Sequence, residues 1–271
     1  MPAVELIVEN LEQPHGLAFD ADDQLFVAEV AAKRVTRITT EGNLSPFADT
    51  GGRPMGIAFD DSGDLFVAEN GRHHLLLVSP DEAVEVFANQ SHGRRFFGPR
   101  ALCFTHEGGV IFSDADPEGQ NGALFLCDLN GEVEKIADGL SSPMGLALLD
   151  DSVTLFVSES TEQRIVSFEL DEDGTAKNRE VFAEFSDGKP GSLLLDSQGV
   201  LLVAVDGVGI TQLDPDGTIV DTWRLPNPRP MDMTFGGINY DQLFVSEFSG
   251  AIYQLPIDHT GQRPFAGPRS V

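Results

Sequence analysis

The chain has 271 residues, enough to bury the core of two ordinary domains or of one large all-β domain. It carries 44 acidic residues against 17 lysines and arginines, a formal net charge of −27, and 41% of its residues are hydrophobic. The apolar content excludes a disordered acidic polymer, and the negative charge predicts no nucleic-acid and no membrane partner, because phosphate groups would be repelled.

The N-terminal segment lacks the basic start and the apolar stretch of a signal peptide, and no run approaches the ~20 apolar residues that span a bilayer. The two cysteines, Cys103 and Cys127, lie in apolar strand-like runs. We expect them to be buried free thiols in a reducing compartment, which predicts a cytoplasmic location.

One sequence unit recurs six times along the chain. Each copy begins with a proline, followed by an apolar strand, a polar turn and a second apolar strand that usually ends in an acid. The copies are PHGLAFDADDQLFVAE from 14, PMGIAFDDSGDLFVAE from 54, PRALCFTHEGGVIFSD from 99, PMGLALLDDSVTLFVSE from 143, PGSLLLDSQGVLLVAV from 190 and PMDMTFGGINYDQLFVSE from 230. The spacing of 40 to 47 residues is typical of a four-stranded propeller blade.

Two further strands complete each unit. Runs such as RVTRIT and RIVSFEL supply the third strand, and runs such as LSPFAD and REVFAE supply the fourth. No segment has a sustained helical period, so helices should be nearly absent. The run VELIVENL, before the first proline, matches the fourth strands and should complete the last blade. We therefore predict an all-β, six-bladed β-propeller with four-stranded blades, as a single domain over residues 1–271.

The residue after each proline is predicted to lie at the mouth of the central channel, because the first strand of each blade lines that channel. His15 is a candidate general base, ligand or simply hydrogen-bonded channel residue, and Arg100 could hold an anionic group or pair with Asp114. Asp232 is a candidate base or arginine partner, so the catalytic candidates are His15, Arg100 and Asp232. The substrate-binding candidates are Met55, Met144, Met231, Gly191, Arg53, Phe97, Asp116 and Asp206.

Several of these candidates have a plain structural alternative. The three methionines are best explained as an adaptable apolar lining. The acids that end the second strands, such as Glu29 and Glu159, are predicted to accept backbone N–H groups from a neighbouring turn. Asp116 and Asp206 do not match the repeated acid position, so the structural role of the repeat does not apply to them and they are candidates for a functional role. The long segments 89–100 and 114–122 could form a lid over the mouth or be surface decoration.

The stretch from 143 to 185 resembles the fourth blade of the gluconolactonase / senescence marker protein / luciferin-regenerating enzyme family. The stretch from 209 to 237, with its final Phe-Gly-Gly, resembles the last blades of that family. The resemblance covers nearly the whole chain and implies hydrolysis of sugar lactones or related esters with one divalent ion at the channel mouth. It also implies a glutamate, an asparagine and an aspartate as ligands, at positions that here hold His15, Met144 and Gly191.

This departure makes the chain a divergent member that lacks the usual metal ligands. A hard divalent ion needs oxygen donors, which a thioether and a glycine do not supply. We therefore expect no metal-ligating residues and no cofactor, although Glu12 is an acid near the first blade. A metal-dependent lactonase or esterase with atypical ligands stays an alternative.

The sequence leaves three functions to compare. The first is an enzyme that acts on a small organic substrate, anionic or neutral, by metal-independent acid–base chemistry, as a hydrolase, a lyase, or a cyclising or condensing enzyme. The second is a non-catalytic propeller that binds a small molecule or a protein, and the third is the metal-dependent hydrolase. We expect a small-molecule substrate as the partner, and a monomer or weak homo-oligomer.

Overall fold

The structure, a computed structural model, describes residues 4–39 and 42–263. In those ranges it contains strands and turns but no helix, so no helix there could cross a membrane. The residues form six four-stranded antiparallel sheets, and the predicted six-bladed propeller is confirmed. The single-domain prediction over 1–271 extends to residues 1–3, 40, 41 and 264–271, which lie outside the described part, and it stays a prediction.

Each blade follows the repeat and begins at its proline or one residue before it. Blade 1 consists of β2 (Pro14–Phe19), β3 (Leu25–Glu29), β4 (Arg34–Ile38) and β5 (Leu44–Asp49). Blade 2 consists of β6 (Pro54–Phe59), β7 (Leu65–Glu69), β8 (His74–Val78) and β9 (Val84–Ala88). Blade 3 consists of β12 (Pro99–Phe104), β13 (Val110–Asp114), β14 (Gly122–Cys127) and β15 (Val133–Leu140). A short hairpin, β10 (Gln90–Ser91) and β11 (Arg94–Arg95), precedes blade 3.

Blades 4 and 5 consist of β16 (Pro143–Leu148), β17 (Thr154–Glu159), β18 (Arg164–Leu170) and β19 (Ala176–Glu184), and of β20 (Lys189–Leu195), β21 (Leu201–Asp206), β22 (Gly209–Leu213) and β23 (Ile219–Trp223). Blade 6 consists of β24 (Pro230–Gly236), β25 (Gln242–Glu247), β26 (Ala251–Leu255) and the N-terminal strand β1 (Glu5–Val8). Because β1 pairs with β26 through contacts such as Leu6 with Tyr253, the predicted closure by the N-terminal strand is confirmed.

Burial follows the order of strands within a blade. All five residues of β3 and of β7, both LFVAE, are buried, which explains why these segments are continuously apolar. The fourth strands lie at the perimeter, and three of the five residues of β9 are exposed. The core lies between neighbouring blades, where Phe26 of blade 1 meets Phe59 of blade 2 with ring centroids 4.8 Å apart.

Buried serines join neighbouring first strands around the channel. The Ser158 hydroxyl accepts a hydrogen bond from the Gly145 N–H at 2.8 Å and donates one to the Gly191 carbonyl, in the next blade, at 2.7 Å. A Cβ at Gly145 would lie 2.3 Å from that same carbonyl oxygen, so only glycine permits this approach. The two hydrogen bonds of Ser158 and the close approach allowed by Gly145 together hold blades 4 and 5 in fixed positions.

The acids that end the second strands have the predicted structural role. The Glu29 carboxylate is almost fully buried and accepts the Glu12 N–H at 2.7 Å, and Glu159 accepts the Ser141 N–H at 2.8 Å. Both N–H groups belong to the turn that precedes a blade's first proline. Glu159 also pairs with Arg164 at 2.7 Å and with Arg179. Glu29 and Glu159 therefore fix the entry to blades 1 and 4.

We expect Glu159→Gln to destabilise the fold by about 2–4 kcal/mol, since an amide cannot serve two arginines and a backbone donor at once. Chemical unfolding in urea measures this loss. The matched control is Glu162→Gln on the neighbouring surface, which should leave the unfolding midpoint nearly unchanged. A Glu159→Gln variant as stable as the parent would show that the three partners of Glu159 add nothing to stability.

Candidate active site in the central channel

The first strands of the six blades surround a central cavity of about 210 Å³. Its walls are mainly aliphatic and aromatic side chains, together with a few polar groups near one end. The polar or soft groups that concern the chemistry are His15, Arg100, Met144, Ser192 and Asp232. All five come from the beginning of a first strand, so they gather at the end of the channel where the prolines lie.

A β-bulge follows the proline in every first strand. The pairing register with the second strand shifts by one residue after each of the six prolines. A bulge sets two residues opposite one and re-aims their side chains. In blade 1 the first residue after the proline, His15, lines the cavity, whereas in blades 5 and 6 the second residue does, namely Ser192 and Asp232.

The prediction that the residue after each proline faces the channel is right in three blades and wrong in the other three. His15, Arg100 and Met144 line the cavity as predicted, but Met55, Gly191 and Met231 are not among its lining residues. Ser192 was missed, although its place in Pro-Gly-Ser matches that of Asp232 in Pro-Met-Asp and could have revealed it.

The Asp232 carboxyl is held firmly in the channel wall. Its Oδ2 accepts the Leu17 N–H at 2.9 Å, and its Oδ1 accepts a hydrogen bond from the Ser192 hydroxyl. The buried Ser246 hydroxyl accepts the Asp232 N–H at 3.0 Å and donates to the His15 carbonyl at 2.6 Å, which ties blades 6 and 1 together. Burial raises the pKa of Asp232 to about 6, and the two hydrogen bonds to its oxygens offset only part of that rise.

His15 is a neutral imidazole with unused hydrogen-bonding capacity. Its side chain is buried, with 7% exposure, and neither ring nitrogen has a partner among the described residues. Burial first, and then the positive charges of Arg100 and Arg53, lower the pKa of His15 to about 4. At neutral pH one ring nitrogen can therefore donate a hydrogen bond to a bound molecule and the other can accept one.

Arg100 offers donors that the protein leaves unsatisfied. Its Nη1 lies 3.0 Å from Met144 Sδ, a weak acceptor, and its buried Nε has no partner in the described ranges. The alternative ion pair with Asp114 does not form, since that carboxylate accepts the N–H groups of Phe97 and Gly98. An anionic or strongly polarised oxygen is the natural partner for such a guanidinium.

The charge of Arg100 predicts a measurable effect on its neighbour. We expect Arg100→Gln to raise the pKa of His15, because removing a nearby cation makes the imidazolium less unfavourable. Burial stays in place, so the pKa should remain below its ordinary value of 6.5. An NMR titration of the His15 ring measures the change, and Arg53→Gln, which removes a weaker influence, should raise the pKa less. An unchanged His15 pKa in Arg100→Gln would contradict the inference that the Arg100 guanidinium lies close to the His15 ring.

Four predicted substrate-binding residues lie outside the channel lining. The Arg53 backbone N–H donates a hydrogen bond to the Glu69 carboxylate. The positive charge of the Arg53 side chain lowers the pKa of His15 by a Coulomb interaction, without contact. Asp116 closes its own loop by accepting the Gln120 N–H at 2.8 Å. The remaining two are Asp206, which pairs with Arg229 at 3.3 Å on the surface, and Phe97, which lines a separate cleft.

The segments 89–100 and 114–122 do not cover the channel cavity. Ser91, in the hairpin of the first segment, donates from its hydroxyl to the Val133 carbonyl at 2.8 Å, so the hairpin packs against the outer strand of blade 3. Pro99 of the first segment pairs with Asp114 of the second in the blade 3 sheet. Apart from Arg100, no residue of either segment lines the cavity. The lid hypothesis is therefore not supported by where these segments lie.

At the opposite end of the channel, Gln262 of the segment after β26 lines the cavity. The Gln262 side chain donates to the Leu148 carbonyl at 2.9 Å, and its backbone N–H donates to the Leu195 carbonyl at 3.1 Å. Both carbonyls belong to the last residues of first strands, far from the prolines. A ligand would therefore enter from the His15 end. The sequence indicated only a proline- and glycine-rich tail here.

The two cysteines are free, as predicted. Cys127 is buried, whereas Cys103 is only half-buried because it lines the channel. Burial raises the pKa of each thiol to about 12, so neither is a thiolate nucleophile at neutral pH.

The donors at the polar end do not suit a hard divalent cation. Asp232 is the one carboxylate that lines the cavity in the described part of the chain, and both of its oxygens already accept hydrogen bonds. The described residues contain no group of three or more His, Cys, Asp and Glu side chains placed to hold a metal ion. The fixed positive charge of Arg100 in the same cavity would further oppose a dication.

The fold and the site define a class of protein, a six-bladed β-propeller with a polar site at one end of its central channel. The chain belongs to the SMP-30/gluconolactonase/LRE-like family, whose model matches residues 14–249.

Relatives and solved structures agree with this membership. The 6-deoxy-6-sulfogluconolactonase of Pseudomonas putida is 29% identical over 142 residues, which cover 51% of this chain and 48% of that protein. The pentonolactonase of Haloferax volcanii is 25% identical over 180 residues, covering 58% and 62%. The gluconolactonase structure from Xanthomonas campestris has a TM-score of 0.84 at 24% identity and covers 93% of this chain and 88% of that one, which shows the shared fold. The chain spans about half to three fifths of these two curated relatives.

Proposed function

We propose that the protein hydrolyses small lactones or related esters at the proline end of its channel, with its own acid–base groups and without a divalent ion. The observation that carries this proposal is the half-buried Asp232 carboxyl, which accepts a hydrogen bond from Ser192 and has a pKa raised to about 6. A carboxylate with such a pKa is ionised at neutral pH and is a better general base than an ordinary aspartate. The lactonases among the relatives support the choice of substrate class.

The proposed reaction needs only water and the channel residues. Asp232 takes a proton from a water molecule as the water oxygen bonds to the acyl carbon. The C–O bond of the ring then breaks, and the departing alkoxide takes the proton back from Asp232, which leaves a hydroxy acid. Ser192 holds the carboxylate oriented throughout by donating to its Oδ1.

Arg100 and His15 have supporting roles in this scheme. The free donors of Arg100 would stabilise the negative charge that develops on the acyl oxygen, and they favour substrates that carry an anionic group. Neutral His15 would orient the bound molecule by a hydrogen bond instead of acting as the base, because its pKa of about 4 makes it a weak one. The cavity volume of about 210 Å³ restricts the substrate to a small molecule.

A screen of five- and six-carbon aldonolactones and simple esters, with chelator-treated protein, tests the proposal. We expect hydrolysis that persists in the presence of chelator and rises with pH through about 6, as Asp232 ionises. Activity that appears only after a divalent ion is added would overturn the proposal in favour of a metal-dependent lactonase with atypical ligands. Ligand binding at the channel without turnover would overturn it in favour of a non-catalytic binding propeller.

A further inference from the structure

A second cavity lies beside blade 3, separate from the channel. We call it the blade 3 cleft, the cavity of about 880 Å³ between the β10–β11 hairpin and the strands β14 and β15. None of its lining residues lines the channel cavity. Its volume falls in the range of about 300–1,000 Å³ that is usual for small-molecule sites.

The cleft carries positive charge that the protein does not neutralise. Arg94 and Arg95, both exposed, form no ion pair and no side-chain hydrogen bond with the described residues. Lys135 is paired with Asp138 at 2.6 Å, and the Asp114 carboxylate in the wall is buried and accepts two backbone N–H groups. Two guanidinium groups therefore remain free on a chain whose net charge is −27. Such groups match a carboxylate or sulfonate with paired donors.

The cleft also presents an aromatic surface on a fixed frame. The Phe97 side chain is 48% exposed, but its backbone is held at both ends, with the N–H donating to Asp114 at 2.9 Å and the carbonyl contacting the His73 ring. Phe125, in the opposite wall, packs against Phe112 with ring centroids 5.4 Å apart. An exposed ring on an anchored backbone is a preformed face for a planar apolar group.

We propose that the blade 3 cleft binds an organic anion with a planar aromatic body. The ring would pack against Phe97 and Phe125, and the acid group would face Arg94 and Arg95. Because the cleft shares no lining residue with the channel, this site is independent of the proposed hydrolysis.

Calorimetric titration with naphthalene-2-sulfonate tests the proposal, with neutral 2-naphthol as the uncharged comparison. We expect the sulfonate to bind at least about tenfold more tightly than the naphthol, and Arg94→Gln/Arg95→Gln to weaken sulfonate binding about tenfold or more. Phe97→Ala should weaken both probes. Arg224→Gln, a change at an exposed arginine outside the cleft, is the control for loss of positive charge elsewhere on the surface and should leave the affinity unchanged.

Two results would overturn the proposal. One is unchanged sulfonate affinity in Arg94→Gln/Arg95→Gln, with a melting temperature that shows the variant is folded. The other is loss of binding in Arg100→Gln alone, which would place the sulfonate in the channel. Neither result depends on whether the protein hydrolyses lactones, so the two proposals can fail separately.

Discussion

Asp232→Asn is expected to remove most of the turnover and at the same time to make the protein more stable. An asparagine keeps the size and one acceptor of the aspartate but cannot take a proton from water. Loss of a positioned general base typically reduces the rate by about 10²–10⁴-fold. This reduction, measured on whichever lactone the screen identifies, tests the assignment of Asp232 as the base.

The stability effect of Asp232→Asn has the opposite sign because the charged carboxyl is unfavourable where it lies. Its pKa in the fold is about 6, above the value of 3.8 for a free aspartate, so the folded state favours the protonated form. The favourable contribution is complete below about pH 4 and is lost as the pH rises through about 6. A pKa difference of about 2 corresponds to about 3 kcal/mol, so the variant should melt several degrees higher at pH 7.5 and gain nothing at pH 4.

The matched control is Asp206→Asn, the same substitution at a half-exposed carboxylate on the surface. We expect it to change neither turnover nor melting temperature appreciably. An Asp232→Asn variant that is less stable at pH 7.5 and retains activity would show that the aspartate is a structural acceptor, like the acids at the ends of the second strands.

Removal of residues 1–9 is expected to destabilise the propeller strongly, because it takes away β1 and leaves the edge of β26 unpaired. Ile7 and Val8 pack against the cluster that contains Leu17 and Phe244, between blades 6 and 1. Partial burial of two aliphatic side chains and several ladder hydrogen bonds together contribute about 3 kcal/mol or more. Thermal unfolding should therefore shift downward by roughly 10 °C.

Addition of the missing segment in trans provides the control for this deletion. A synthetic peptide of residues 1–12 should restore much of the lost melting temperature by pairing with β26, whereas a scrambled peptide should not. Leu6→Ala, which changes an exposed side chain of the same strand, should have little effect. A truncated protein that melts like the parent would mean that closure of blade 6 by β1 is not required for stability.

The site shows where local pattern is informative and where it is not. His15, Arg100 and Asp232 could be singled out from the sequence, because each is a chemically active residue one or two positions after a proline that marks a blade. Ser192 also stands two residues after a blade proline, as Asp232 does, but only the structure shows that its hydroxyl donates to Asp232. The pairing register shifts by one residue in every first strand, so the bulge alone does not tell which residue after the proline faces the channel.

The roles assigned to these residues also changed in the structure. The sequence makes both His15 and Asp232 candidates for the base. Burial moves their pKa values in opposite directions, to about 4 for the imidazole and about 6 for the carboxyl, and this favours Asp232. Phe97 was expected at the channel mouth, but the β10–β11 hairpin packs on the outer side of blade 3 and places Phe97 in a different cavity.

The sequence by itself determined the six blades, their strand order and the closure by the N-terminal strand. These features follow from strand alternation, turn residues and a repeat length, all of which are local or periodic properties of the chain. Only the tertiary structure decided which side chains share the channel, which carboxyl is buried enough to act as a base, and where the free arginines and phenylalanines form a cleft. These properties depend on burial and on contacts between distant residues, such as Ser192 with Asp232, and no single blade contains them.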